Sequence, residues 1–202
     1  MGICYIVGAG DFYGSFTPKE CDLVIAADGG YESLEKLGIR CDLLIGDMDS
    51  IKAVPEGVEL IRHPKEKDET DMHLSYLEGR RRGFENFAIY GGVGGRPDHT
   101  FANYCLLSYI RADGCKATLF DKSAKSYIIK NEVTRVAGKE GKSISIFAFG
   151  GTAAGVNITG LYYELSDGEL TMNFPLGVSN SFTDKEAEIS VKRGELLIIE
   201  EI

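Results

Sequence analysis

Asp47 and Asp49 stand two residues apart in the run Gly46-Asp47-Met48-Asp49-Ser50. Two carboxylates at that spacing in a turn can converge on one hard cation, and Gly46 leaves room for a phosphate to approach. Mg²⁺ takes only one or two carboxylates and draws its remaining oxygens from water and substrate phosphates. The plain alternative is a helix cap at Ser50, for which one Asp or Ser would suffice. A second run, Lys67-Asp68-Glu69-Thr70-Asp71, opens a helical stretch. There the helix dipole by itself favours an acid such as Asp71. As a third carboxylate beside Asp47 and Asp49, Asp71 completes a site for one or two Mg²⁺ ions bridging phosphates.

The third run is Gly91-Gly92-Val93-Gly94-Gly95-Arg96-Pro97-Asp98-His99. Its glycines let the backbone turn N–H groups toward phosphate and come close to it. Arg96 adds a planar fork matched to phosphoryl oxygens. Pro97 suits the first turn of a following helix, whose N-terminus attracts an anion. A flexible glycine-rich connection would need neither the arginine nor the proline. No G-K-[ST] follows, so this is not a Walker A loop. Asp98 can join the metal set, orient the attacking hydroxyl or take its proton. His99 fits a helix-start hydrogen-bonding role better than a proton shuttle. The set Gly8, Gly10 and Gly14 departs from G-x-G-x-x-G, and close approach of ATP to this first loop is preferred to a nicotinamide cofactor.

These runs need elements to hold them. Short apolar stretches at 3–7, 23–27, 43–45, 58–61, 87–90 and 117–120 are too short for helices and read as strands buried on both faces. Helical stretches are predicted over 31–37, 70–82 and 98–112, each closed by or near a glycine. Alternation of this kind implies βαβ units and a mostly parallel sheet flanked by helices. Gly46–Ser50 and Gly91–His99 follow directly on predicted strands, and the Lys67–Asp71 run lies within the segment His63–Asp71 that follows the fourth strand. In open α/β sheets, ligands bind outside the carboxyl ends of the strands, so the runs are expected along one rim. After residue 126 the helical period disappears. Runs at 144–149, 170–174, 187–191 and 196–199 are separated by Gly, Asn, Asp and Ser turns, an all-β sandwich pattern. The expected division is an α/β domain over 1–125 and a β-sandwich over 126–202.

A net charge of −9 and a pI near 4.9 argue against binding of nucleic acid, which needs a basic face. The five cysteines lie scattered, in neither a zinc nor a disulfide pattern, as in a reducing cytoplasm. No stretch of 18 apolar residues occurs, so no membrane association is expected.

The pieces A-A-D-G-G at 26–30, G-D-M-D-S at 46–50, K-D-E-T-D at 67–71, G-G-V-G-G-R-P-D-H at 91–99 and G-V-S-N at 177–180 together resemble the thiamin pyrophosphokinase family. The resemblance implies an α/β ATP-binding domain followed by a β-sandwich, in a homodimer with active sites at the interface. It also implies transfer of the pyrophosphoryl group of ATP to thiamin, giving thiamin diphosphate and AMP. Carried onto this chain, Asp47, Asp49 and Asp71 would hold Mg²⁺. Arg96 and Asp98 would line the phosphate site and, with Asp49 and Asp71, form the catalytic set. Asp28, Gly29, Gly92, Gly95, Arg96 and His99 would lie along ATP. Ser179 and Asn180 would lie where the family holds thiamin. Some members place a Trp against thiamin, whereas this chain has none. Phe182 is the aromatic face that could replace it, with burial in the core as the alternative. Other readings are pyrophosphoryl transfer to a pterin alcohol, a non-catalytic Mg·ATP-binding module, and a metal phosphohydrolase.

Overall fold

The computed structural model describes residues 2–47 and 57–202, which fall into two compact units. One comprises Met1–Ile110 with Gly114–Lys122, and the other Arg111–Asp113 with Ser123–Ile202.

The first unit is built on six strands in the order β4-β3-β2-β1-β5-β6. They are β1 (Cys4–Val7), β2 (Leu23–Ala27), β3 (Leu43–Gly46), β4 (Glu59–Arg62), β5 (Asn86–Tyr90) and β6 (Lys116–Phe120). Every pairing among them is parallel, so all six carboxyl ends share one edge. The chain steps outward from β1 to β4, then returns to place β5 on the other side of β1. That reversal is the topological switch point at which open α/β sheets bind ligands. β1, β2 and β3 are buried along their whole length, as their uninterrupted apolar runs require.

Three helices cover the sheet: α1 (Gly30–Leu37), α2 (Asp71–Arg81) and α3 (Pro97–Ala112). On one face Leu34 of α1, with Phe12 and Phe16 of the first loop, packs over Tyr5, Val24 and Tyr90. Phe16 stacks on Tyr5 at 4.1 Å between ring centroids, and Phe120 on Tyr90 at 4.7 Å. On α2, the fully buried Tyr76 meets Phe87 of β5 and Tyr109 of α3 edge-on. Thr70 caps α2, its hydroxyl accepting the His73 N–H at 3.2 Å. α3 starts on Pro97, where the missing N–H costs nothing. The glycine after α1, Gly38, takes the left-handed conformation at φ +63° and closes the helix.

The second unit is all β: β7 (Ala124–Lys130), β8 (Val133–Ala137), β9 (Ser143–Thr159), β10 (Leu165–Thr171), β11 (Gly177–Ser181), β12 (Glu186–Ser190) and β13 (Arg193–Glu201). The 17-residue β9 has two successive sets of partners. Its first half pairs with β13 and β11, and its second half with β10, β12 and, at Ala154, the start of β13. The changeover falls at Gly150 and Gly151, and the inward set shifts from Ile144, Ile146 and Ala148 to Ala153, Val156 and Ile158. Both halves feed one core with Leu170, Ile189, Leu196 and Ile198, a sandwich as expected. The run expected as a strand over 170–174 is strand only to Thr171, and Phe174 lies exposed beyond a turn.

Candidate active site

The loops that leave β1 and β5 are tied together beyond the ends of their strands. Backbone N–H groups of Gly8, Gly10 and Asp11 donate to the carbonyls of Tyr90, Gly91 and Val93 at 2.8, 2.9 and 3.0 Å. Close approach explains the glycines, since a Cβ on Gly8 or Gly10 would collide with the Gly91 carbonyl. The carbonyl of Gly92 is also satisfied, accepting from the buried Asn103 amide at 2.7 Å. With these carbonyls already engaged, N–H groups are what the loop backbone can offer an anion.

Beside the first loop opens a cavity of about 380 Å³ at the carboxyl edge of the sheet. Gly8 and Ala9 after β1, Asp28 after β2 and Asp47 after β3 line it. The chain entering α2 supplies Lys65, Lys67 and Asp71, and His99 comes from α3. Of the residues singled out from sequence, the fold therefore gathers Asp28, Asp47, Asp71 and His99 on one cavity. Asp28 occupies the left-handed backbone region at φ +47°, its N–H donating to the Ile45 carbonyl at 2.7 Å. Strain of that kind costs on the order of 1–3 kcal/mol and concentrates at working sites.

The other residues expected along ATP do not line this cavity. Gly29 faces a neighbouring hollow with Gly10, Asp11 and Ser33. Gly92 is buried, and Gly95 lines a shallow apolar hollow with Phe101 and Tyr104. Arg96 and Asp98 are exposed and bound to each other, at 2.6 Å between Arg96 Nη2 and Asp98 Oδ2. The Arg96 hydrogen bond holds the Asp98 carboxyl below its ordinary range, which makes Asp98 a weak proton acceptor. Asp49 lies outside the described residues. The residue missed in sequence is Lys67, whose ammonium sits 2.7 Å from Asp71 Oδ1. Its signal was present, since Lys67 and Asp71 are four residues apart, but Lys67 precedes the helix and helical spacing does not apply there.

The donors on this cavity are hard carboxylate oxygens, the type Mg²⁺ uses one or two at a time. Among the described residues no three His, Cys, Asp or Glu side chains converge on one metal position. Asp47 and Asp71 thus fit Mg²⁺ as an ion shared with phosphates and water, rather than one caged by protein.

In the second unit Ser179 is also left-handed, at φ +53°, in the irregular stretch of β11 where pairing with β9 shifts register. Its N–H donates to Ser145 Oγ at 3.0 Å. Asn180 is buried, and its amide brackets Tyr163, donating to the Tyr163 carbonyl at 2.7 Å and accepting the Tyr163 N–H at 3.0 Å. Phe182 packs against the sandwich core. The exposed aromatics beside this stretch are Tyr162 and Tyr163, in edge-on contact with each other.

A parallel sheet with Gly- and Asp-rich loops on its carboxyl edge, followed by an all-β unit, defines an α/β-plus-β protein with a candidate ligand site on the edge of its parallel sheet. Residues 17–119 match the family model described as the thiamin pyrophosphokinase catalytic domain, and residues 126–196 its vitamin B1 binding domain. The thiamine pyrophosphokinase of Bacillus subtilis (strain 168) is 28% identical over 190 residues, spanning 89% of this chain and 87% of that one. Thiamine pyrophosphokinase 1 of Arabidopsis thaliana is 27% identical over 215 residues, spanning 88% and 78%. The crystal structure of a Bacillus subtilis thiamine pyrophosphokinase matches with a TM-score of 0.88 at 26% identity, covering 98% of each chain. The chain belongs to the thiamin pyrophosphokinase family.

Proposed function

We propose that this chain is a Mg²⁺-dependent enzyme that transfers the pyrophosphoryl group of ATP to the hydroxyl of thiamin. The observation that carries the reading is the match of both family domains, in order, across 17–119 and 126–196. The hydroxyl oxygen of thiamin bonds to the β-phosphorus in line, and the bond from that phosphorus to the α,β-bridging oxygen breaks. AMP leaves with that oxygen, and the hydroxyl proton passes to solvent or base.

Mg²⁺ held by Asp47, Asp49 and Asp71 would neutralise charge on the phosphates. The chain's own task is positioning. In this reading Asp28 and the first loop flank the nucleotide, with Gly29, Gly92, Gly95 and His99 along its length. Arg96, oriented by Asp98, reaches the phosphoryl oxygens from the rim, and loop N–H groups offset developing charge. Ser179 and Asn180 lie on the thiamin side. The face of Tyr163, which Asn180 holds in place, is better exposed than Phe182 for packing against a cation.

The chain is also proposed to act as a cytoplasmic homodimer. Tyr162, Tyr163, Met172, Phe174, Leu176 and Val178 of the second unit are each more than half exposed, an apolar surface that a second copy would cover. Five free thiols fit a reducing compartment, and among the described residues no helix is long and apolar enough to cross a membrane.

The test is AMP formation from ATP and Mg²⁺ with thiamin or hydroxymethylpterin as acceptor. AMP with thiamin alone is expected, abolished in Asp71→Ala while the circular dichroism spectrum is kept. AMP with the pterin, ATP binding without AMP, or phosphate release without any acceptor would each replace this reading with a rival.

A further inference from the structure

Arg96 is turned to solvent and occupied by Asp98, whereas Lys67 lines the main cavity and pairs with one of its carboxylates. Only 13% of its side chain is exposed, against 71% for Arg96. Its Nζ lies 2.7 Å from Asp71 Oδ1, and both residues line the cavity that also holds Asp28 and Asp47. Lys67 reaches Asp71 from the chain entering α2, ahead of the Thr70 cap. Its stem is therefore outside the helix, and its flexible four-carbon chain can swing without disturbing a helical hydrogen bond.

Asp71 is thus asked to serve two cations. An ammonium at hydrogen-bond distance and a divalent ion on the same oxygen repel each other, so the two compete for that carboxylate. A lysine displaced within this cavity needs a new anion, and the one brought with the divalent ion is the phosphate chain of the nucleotide. We propose that Lys67 is a stand-in cation. It holds Asp71 before the divalent ion arrives, and transfers to a phosphoryl oxygen when metal and nucleotide bind together. This inference rests on the metal-binding reading of Asp71 above. It makes Lys67 the element that couples the two ligands, since each favours the lysine position that admits the other.

The test compares wild type, Lys67→Met, Lys67→Gln and Asp71→Asn. Mn²⁺ binding without nucleotide is followed by electron paramagnetic resonance, and KM for ATP is measured at saturating Mg²⁺ and thiamin. The Gln variant serves if the Met variant does not fold by circular dichroism. Removing the internal competitor should tighten Mn²⁺ binding about three- to tenfold, the order expected for loss of one partly buried ion pair. The same variant should raise KM for ATP about tenfold or more. A residue that only supports the fold would not tighten metal binding. Unchanged or weaker Mn²⁺ binding in a folded Lys67 variant, with Asp71→Asn still losing the ion, overturns the stand-in role and leaves the metal reading intact. If Asp71→Asn binds Mn²⁺ as wild type does, the metal reading of Asp71 fails, and the proposal with it.

Discussion

Four described residues other than glycine have positive φ: Asp28, Asn131, Asp167 and Ser179. Asn and Asp tolerate this conformation because their short side chains bond locally, whereas serine has no such general preference. At φ +53°, Ser179 is therefore the position most in need of a local explanation, and it falls within the stretch proposed to face thiamin. Substitution by a β-branched residue should expose the strain. Ser179→Val is expected to lose about 1–2 kcal/mol in urea unfolding, while Ser179→Gly loses none. Asn180→Ala removes both bonds to Tyr163 and is expected to cost about 1–3 kcal/mol by the same measurement. The motif containing both residues was legible in the sequence. Their geometry was not, because nothing in the letters Val-Ser-Asn marks a register shift against β9. Lys67 was hidden for a related reason: its importance comes from a partner and a cavity, and the sequence shows only a charged residue in a polar run.

Among the elements, α2 is fastened at both ends. Thr70 caps its start, and near its end Glu78 accepts from Arg81 and from Arg82 at 2.7 Å. Arg82 also reaches Glu59 of β4 at 2.6 Å, tying the helix end to the sheet margin. The Arg81 hydrogen bond, joined by Arg82, holds the Glu78 carboxyl at about 2. Its folded value is thus below its ordinary one of 4.5, so the stabilisation is complete above that value and lost as pH falls toward 2. Glu78→Gln should lower unfolding free energy by about 1 kcal/mol at pH 7, and the difference from wild type should close as pH falls from 5 to 2. The three helices were legible because each shows a boundary signal: Gly38 after α1, Thr70 before α2, Pro97 at the start of α3. β1, β2, β3 and β5 were legible as apolar runs, whereas β4 and β6, expected to be buried on both faces, carry Glu59, Arg62 and Thr118 and are largely part-exposed. β8 and β11 were not legible, because their burial is partial and their polar residues read as turns. β9 was legible only in its first half, since Gly150 and Gly151 look like an ending in sequence and act as a corner in the fold.

For the whole molecule, the proposed homodimer makes its own prediction. Wild type should run in light-scattering chromatography at twice the chain mass of 22.1 kDa. Phe174→Asp combined with Leu176→Asp should run at the single-chain mass, because two buried carboxylates in an apolar contact are costly. The division into an α/β unit and a β unit was legible from the change of hydrophobic period after residue 126. The apolar surface was not, since Tyr162, Phe174 and Leu176 look like core letters until the connections on either side of β10 carry them outward.

The position of β13 sets an order of events during synthesis. Although last along the chain, it is the inner strand between β7 and β9, with registered partners on both sides from Glu195 to Glu200. The six parallel strands of the first unit are all present once residue 120 has emerged. The sandwich cannot close its middle until residues 193–201 are available, so β7 and the first half of β9 wait with open edges. Such edges pair with whatever strand is nearest, including that of another nascent chain. A chain cut before residue 193 should therefore yield a folded first unit carrying an aggregation-prone remainder, and slowed synthesis through residues 143–192 should lower soluble yield more than the same delay earlier.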